Sequence, residues 1–349
     1  MKFQILLFIL GFLPFLGMSS ERDSTLLLSI DGVVNETLNV LTGPKGEDRD
    51  WEWFQTLFTD DARIVVTIDQ ANKPRSQASL DLDRFIKQAG PVYKMRGFQE
   101  YELKKTVLEY NGIATVFQSF AAIQGQDTSY GINTYHLIRF GDEWKINQIL
   151  FANNANGVEL DAEWMPNADY QSEIKAYRDT LNAFYGNPEE SPLGKKGTEN
   201  FDGLPYFPVR ESYAVQARLE LTPNTEWFEM PTTTDRKPVY RQYAIAHFEL
   251  DGMKFQLPVY QSKRLMAKPG YEDYLFVPFT DHTNGFTTYG GGRYLDVRMD
   301  ENPEILVLDF NKAYNPYCAY SERYSCPLVP IENKINYPIL AGVKYADHH

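Results

Sequence analysis

The sequence is poor in the residues on which metal and redox sites depend. Its 349 residues include 2 cysteines and 5 histidines, and two of the histidines end the chain. A structural zinc site usually needs four such ligands in closely spaced pairs, which this pattern does not offer. The motifs G-x-S-x-G and H-E-x-x-H are also absent. We therefore expect no metal and no cofactor, and standard hydrolase or metalloprotease chemistry has no support.

Positive charge is scarce as well. Lys and Arg total 34 against 47 for Asp and Glu, so the formal net charge is −13 at pH 7. A protein that binds nucleic acid or an anionic membrane surface needs basic side chains to neutralise phosphate. The balance therefore argues against both partners. Aromatic residues are abundant, with 23 Tyr and 22 Phe, and this predicts packed cores rather than disorder.

Only the N-terminus has a long apolar run, MKFQILLFILGFLPFLGMSS. Lys2 supplies a positive start, the apolar run reaches Phe15, and Gly17 and Ser19 are small residues spaced for cleavage. The run is short for a membrane span and is broken by glycine and proline. We predict a signal peptide over residues 1–19 and export to the periplasm or beyond the cell, with a retained anchor as the alternative. We expect no membrane span after cleavage.

The two cysteines, Cys318 and Cys326, lie close together near the C-terminus. Exported proteins meet oxidising conditions, in which neighbouring cysteines commonly pair. We predict a local disulfide, which would stabilise the fold by about 2–3 kcal/mol in the loop-closure model. A metal pair and a reactive thiol are the alternatives.

Residues 24–157 show helical periodicity first and strand patterns after Pro91. Asn111-Gly112 and Gly141-Asp142 are hairpin signals between long apolar-rich segments. Helices followed by an antiparallel meander predict an α+β fold with helices on one face of a curved sheet.

This half resembles the nuclear transport factor 2-like (NTF2-like, SnoaL-like) superfamily. Three runs carry the resemblance: DWEWFQTLFTDDARI at 50–64, GFQEYELKKTVLEYNGIATVFQSFAA at 97–122 and GINTYHLIRFGDEWKINQILF at 131–151. The resemblance implies an α+β cone with an apolar pocket, often assembled as a homodimer. The superfamily holds isomerases, cyclases, dehydratases and proteins that only bind, so the fold alone does not give a function.

The single histidine of this half, His136, is the candidate ligand-binding residue there. It shares one strand face with three other residues, Ile132, Thr134 and Ile138, and we expect that face to line the pocket or to pack on the helices. Its candidate partners are Asp31, Tyr101 and Glu102. A hydrogen-bonded core histidine is the alternative.

Residues 158–168 have no periodicity and are predicted to link the two domains. Residues 169–349 begin with an amphipathic helix and continue with short strands between Gly and Pro turns. This pattern predicts a β-barrel or sandwich with an N-terminal helix.

The second half closely resembles the family called domain of unknown function 1684 (DUF1684). The matching runs include GLPYFP at 203–208, LFVPFTDHTNGFTTYGGGRYLDV at 275–297 and LDFNKAYNPYCAYSERYSCPLVPIEN at 308–333. The resemblance implies no particular activity. It includes both cysteines, which fits a disulfide and would also fit a paired functional site.

A candidate site lies within residues 278–333. Arg293 offers a planar fork that matches two oxygens of a carboxylate or phosphate, and Gly291 and Gly292 allow a close approach of the backbone to a ligand. Asn311 and Tyr314 are the other candidate ligand-binding residues.

The candidate catalytic residues are His282, Arg293 and Asp309, with Asp309 orienting Arg293 or acting as a base. The alternative is a buried Arg–Asp network that holds two loops together.

Three functions remain open from the sequence. The first is the binding of a small organic ligand, anionic if the second domain holds it. The second is a cofactor-free hydrolase or isomerase/lyase that uses the Arg293, His282 and Asp309 cluster. The third is a structural or partner-binding envelope protein.

Overall fold

Two β-sheets, each with its own helices, make up the described part of the protein. The computed structural model describes residues 24–68, 76–154, 157–299 and 304–345. The predicted signal peptide lies outside these ranges. Within them no helix is both long and apolar enough to cross a membrane. The domain limits, with a linker at 158–168, stay a prediction.

The first half packs three helices against one sheet, and we call this unit the cone. Its elements are α1 Ile30–Leu41, α2 Trp51–Thr56, β1 Phe58–Ile68, β2 Ser76–Leu80, α3 Leu82–Arg96, β3 Gln99–Tyr110, β4 Ile113–Gln124, β5 Asp127–Phe140 and β6 Glu143–Asn153. Across the described strands the order is β2-β1-β6-β5-β4-β3. Neighbours are antiparallel except β1 and β6, which run parallel. The predicted α+β fold is confirmed, with one parallel pair that the predicted meander did not include.

Short polar side chains begin each helix of the cone. Ser29, Asp50 and Asp81 accept hydrogen bonds from N–H groups of the first turn of α1, α2 and α3. Such caps satisfy donors that have no partner within the helix. Helix α3 continues through Pro91, whereas the sequence pattern placed the change to strands at that proline.

The second half forms a curled antiparallel half-barrel with helices at its start. Its elements are α4 Ala168–Gly186, α5 Gly194–Thr198, β7 Ala214–Leu221, β8 Phe228–Glu229, β9 Val239–Leu250, β10 Met253–Ser262, α6 Lys263–Met266, β11 Tyr274–Phe279, β12 Arg293–Arg298 and β13 Ile305–Asp309. The strand order among described residues is β12-β11-β10-β9-β7-β13, and β8 pairs with β9. The predicted mostly-β fold with an N-terminal helix is confirmed.

The chain after β13 covers this second sheet. Phe310, Ile335, Tyr337 and Ile339 are buried in the same apolar core as the sheet residue Leu257. Much of this C-terminal segment is irregular, and its backbone polar groups are satisfied by separate contacts, among them backbone hydrogen bonds with Thr280 and side-chain hydrogen bonds from Arg293.

The turn between β9 and β10 brings the two sheets together. Asp251 and Gly252 have φ angles of 49° and 77°, the left-handed values that a two-residue hairpin turn requires. A Cβ added to Gly252 would lie 2.9 Å from the Cβ of Glu109 on β3. The second sheet therefore approaches the cone at backbone distance.

We expect Gly252→Ala to destabilise the protein more than Gly112→Ala does. Gly112 occupies the same turn position at φ 84°, but its added Cβ would meet only side-chain atoms at 3.7 Å or more. Both changes carry the left-handed penalty of about 1–2 kcal/mol, and only Gly252→Ala also pushes the sheets apart. Denaturant unfolding measures the difference, and equal losses for the two variants would contradict the close approach.

Candidate functional site

Arg293 lies in the interior and is held by the protein itself. It begins β12 with 0% of its surface exposed. One guanidinium nitrogen donates to Asp281 Oδ2 and to the Ile339 carbonyl, both at 2.8 Å, and the other donates to the Ala341 carbonyl. The guanidinium group thus fastens the C-terminal segment to the sheet, as in the buried network considered above, with Asp281 in place of Asp309.

Asp309 and Asn311 fasten helix α4 to the second sheet. Asp309 Oδ1 accepts hydrogen bonds from the Tyr170 hydroxyl at 2.9 Å and from the backbone N–H of Asn311 at 3.0 Å. The Asn311 amide donates to the Tyr170 hydroxyl at 2.9 Å and to the Arg210 carbonyl at 2.7 Å. The ion pair of Arg293 is with Asp281, so the structure does not assemble the predicted Arg293–Asp309 pair.

The other candidates of this stretch also have packing roles. The Tyr314 hydroxyl donates to Asp296 at 3.0 Å, and the backbone N–H of His282 donates to the Tyr337 carbonyl at 3.3 Å. A Cβ on Gly292 would lie 2.7 Å from the Phe279 carbonyl oxygen, at a φ of 93°. A Cβ on Gly291 would lie 2.5 Å from the Tyr289 ring. Close packing therefore requires both glycines, and their ligand-binding role stays a prediction.

His136 lies on the outer, exposed face of the cone. Its Nδ1 is 3.2 Å from the Thr115 hydroxyl on the neighbouring strand. The opposite face of β5, which carries Asn133 and Tyr135, points into the cone. The expectation that the His136 face lines the pocket or packs on the helices was wrong, because alternation identifies two faces without saying which one is covered.

Cys318 and Cys326 are adjacent free thiols, so the predicted disulfide is not formed in this structure. The backbone N–H of Cys318 donates to Cys326 Sγ at 3.2 Å. A hydrogen bond between the two thiols, together with burial, raises the pKa of Cys318. The same hydrogen bond lowers the pKa of Cys326 to about 7.

The second half also has an open cleft of about 650 Å³. Phe228, Met230 and Tyr260 are among its apolar and aromatic lining residues, and Glu226 and Glu332 are its charged ones. Two carboxylates without a lining cation do not suit an anionic ligand.

A mainly apolar pocket, open on one side, lies inside the cone. Its volume is about 290 Å³, near the lower end of the range for small-molecule sites. Most lining side chains are apolar and come from all three helices and the sheet: Leu41, Phe54, Ile64, Phe85, Tyr93, Phe98, Phe120, Ala122, Ile149 and Phe151. The exposed residue Asp127, which pairs with Arg96 at 3.2 Å, marks the open side.

Two polar side chains stand out in this cone pocket, Glu100 on β3 and Asn133 on β5. The Asn133 amide nitrogen donates to Glu100 Oε1 at 2.7 Å. Burial among apolar groups raises the pKa of Glu100 to about 7, against the effect of the hydrogen bond from Asn133. Near neutral pH this carboxyl group can therefore accept a hydrogen bond when ionised or donate one when protonated.

Sequence reasoning missed Glu100 and Asn133. The available signal was polar residues at alternate positions within a strand, Glu100 with Glu102 on β3 and Asn133 with Tyr135 on β5. Such groups are costly to bury without a partner or a function.

Fold and pocket together define an α+β cone with an internal cavity, joined to a β-rich second half. The model of the family "Protein of unknown function (DUF1684)" matches residues 199–344. An uncharacterized protein of Haloarcula marismortui, solved by NMR, is 33% identical over 52% of this chain and 97% of its own, with a TM-score of 0.43. The chain belongs to the DUF1684 family.

Solved structures similar to the cone include an NTF2-like protein of unknown function from Pseudomonas putida KT2440. It is 14% identical, the match covers 38% of this chain and 87% of that one, and the TM-score is 0.29. A protein with a cystatin-like fold from Nostoc punctiforme is 10% identical over 37% of this chain and 90% of its own, with a TM-score of 0.28. No curated protein matches the chain.

Replacing Arg293 by Met tests whether this residue is structural. The change leaves Asp281 buried without its cation, and we expect the unfolding free energy to fall by about 3–5 kcal/mol. Asp281→Asn in the same chain should recover part of the loss, because both charges are then gone. Arg298→Met on the same strand breaks an exposed pair with Asp273 and should cost about 1 kcal/mol or less. Equal, small losses for Arg293→Met and Arg298→Met in denaturant unfolding would contradict the buried network.

Proposed function

We propose that the protein binds a small, largely apolar and uncharged organic molecule in the cone pocket, where Glu100 contacts its one polar group. The observation that carries this proposal is a mainly apolar cavity with one buried carboxyl group in its wall, that of Glu100, whose pKa is raised to about 7. A pocket with a few polar groups among many apolar ones is the usual form of a small-molecule site.

Charge favours a neutral ligand. The charged residues of the pocket are Glu100 and Asp127, and its lining residues include no Lys, Arg or His. An anion would meet repulsion in a medium of low dielectric constant. The ligand is therefore expected to offer a hydroxyl or a carbonyl rather than a carboxylate or phosphate, in contrast to the anionic ligand considered for Arg293.

The protonation state of Glu100 decides which polar group is bound. A hydroxyl ligand donates to the ionised carboxylate, so its affinity rises as the pH passes upward through the pKa of about 7. A carbonyl ligand accepts from the protonated form, so its affinity falls over the same range. Each trend follows because the apparent affinity is proportional to the fraction of protein whose Glu100 is in the protonation state that the ligand binds.

The test uses 2-naphthol, a fluorescent fused-ring alcohol, as the hydroxyl probe. We expect its dissociation constant to fall about tenfold from pH 6 to pH 8, because the ionised fraction of Glu100 rises by that factor. Glu100→Gln should remove this pH dependence, while Glu163→Gln, a change at an exposed carboxyl, should keep it. The ketone 2-tetralone should show the opposite trend. Absence of binding, or a pH dependence retained in Glu100→Gln, would overturn the proposal.

We also propose that the chain is exported, that Cys318 and Cys326 form a disulfide in the oxidising compartment, and that the cone forms a homodimer. The N-terminal sequence supports export, and the adjacent thiols support the disulfide. Leu108, Tyr110 and Ile113 support the dimer, because they are apolar and 59–78% exposed on β3 and β4.

Intact-mass measurement and sedimentation of the exported protein test these three properties. We expect its intact mass to lack residues 1–19 and to be two hydrogen atoms below that of the dithiol form. Sedimentation of the same sample should give the mass of two chains. A full-length mass refutes cleavage, a dithiol mass refutes the disulfide, and a single-chain mass at micromolar concentration refutes the dimer.

A further inference from the structure

A line of buried polar contacts leaves the cone pocket and ends between the two sheets. It begins at Glu100, whose Oε1 accepts from the Asn133 amide nitrogen at 2.7 Å. The same nitrogen is 3.3 Å from Gln118 Oε1, which also accepts from the Tyr135 hydroxyl at 3.1 Å. Gln118 is 0% exposed and Asn133 is 5% exposed. These contacts therefore exchange little with water.

The line continues through Glu102 to the second half of the chain. The Gln118 amide nitrogen donates to Glu102 Oε2 at 2.7 Å. Glu102 Oε1 is 3.4 Å from Arg210 Nε. Arg210, which precedes β7, also pairs with Asp31 of α1 at 3.1 Å between NH1 and Oδ2. The Glu100 carboxyl group and the Arg210 guanidinium group are thus joined through three intervening side chains, those of Asn133, Gln118 and Glu102.

An ionised Glu102 would fix the direction of each amide. A carboxylate only accepts hydrogen bonds, so the nitrogen of Gln118 must face Glu102 and its oxygen must face Asn133. That oxygen accepts from the Tyr135 hydroxyl and from the Asn133 nitrogen, and the same nitrogen donates to Glu100. Burial raises the pKa of Glu102, and Arg210 opposes this shift. The positive charge of Arg210 and, to a smaller extent, the hydrogen bond from Gln118 therefore favour the acceptor-only form.

We propose that Arg210 is a positioning residue for the cone pocket, which aligns Gln118 and Asn133 by holding Glu102 as an ionised acceptor and so presents an N–H donor to Glu100. The inference rests on the proposed function, in which Glu100 meets the ligand. It means that docking of the second half sets the hydrogen-bonding state of a pocket in the first. The role is a specific one, because with a neutral residue at 210 either the nitrogen or the oxygen of the Gln118 amide could face Glu102.

Other charged or titratable groups also surround Glu100, and the experiment must separate their effects. They come from α3, β5 and the pocket opening: Tyr93, Tyr135 and Asp127. None of them is altered by the variants below.

The test is a carbon-13 NMR titration of the glutamate carboxyl groups, with the Glu100 signal assigned from Glu100→Gln. A donated hydrogen bond favours the ionised carboxylate, so losing it raises the pKa. We expect Arg210→Met and Gln118→Met each to raise the midpoint of Glu100 by about one pH unit. Gln118→Met breaks the line while leaving Arg210 and Glu102 in place.

Lys105→Met is the matched control. Lys105 is a buried cation of the same cluster and pairs with Asp31, but it makes no contact in the line from Glu102 to Glu100. We expect it to leave the Glu100 midpoint unchanged. An equal shift in Lys105→Met would show a through-space charge effect and would overturn the proposal, as would unchanged midpoints in Arg210→Met and Gln118→Met.

A substitute variant and a ligand-free titration allow the two proposals to be tested separately. If Arg210→Met does not fold, Glu102→Gln replaces it, because the neutral amide keeps the shape but no longer fixes the direction of Gln118. The titration needs no ligand, so it separates the two proposals. Shifted midpoints without 2-naphthol binding would refute the proposed function alone, and 2-naphthol binding with unshifted midpoints would refute the role of Arg210 alone.

Discussion

The packing of the two sheets depends on one buried carboxylate, Asp31. Its side chain is fully buried on α1, where it meets Lys105 of the cone and Arg210 and Tyr213 of the second half. A buried charge that loses its partners costs several kcal/mol. Helix α1 is therefore stable in this position only when both halves supply their donors.

Further hydrogen bonds around Asp31 also join the two halves of the chain. The backbone N–H of Asp31 donates to the Tyr337 hydroxyl, which in turn donates to Asp251 at the tip of the β9–β10 turn. Burial lowers the pKa of Lys105 to about 8, while the charge of Asp251 opposes that shift. The hairpin tip, the C-terminal segment and the cone thus share one electrostatic network, and its continuation through Glu102 reaches the pocket. A contact that docks two sheets is also one that organises a candidate site.

The C-terminal stretch shows how structural and functional residues can look alike in a sequence. Arg, Asp, Gly, Asn and Tyr crowd together there because an irregular segment has to be tied to a sheet without a ladder of its own. Arg293 of the sheet donates to two backbone carbonyls of this segment, and Asn333 of the segment donates in return to the Pro258 and Pro278 carbonyls of the sheet. The same residue types would serve a ligand. The two cases differ in whether the side chain keeps exposed surface that a ligand could contact. Arg293 keeps none, because 0% of its surface is exposed.

The sequence by itself determined the α+β class, the hairpins at Asn111-Gly112 and Gly141-Asp142, and the family of the second half. These depend on short-range properties, namely periodicity, left-handed turn residues and long matching runs. It did not determine the parallel pairing of β1 with β6, the continuation of α3 through Pro91, or the face of β5 that lines the pocket. Those depend on which surfaces meet, and the tertiary structure decided them. Glu100 belongs to the same class, since its raised pKa comes from burial in a pocket whose walls include α1, β4 and β6, which the chain brings together only on folding.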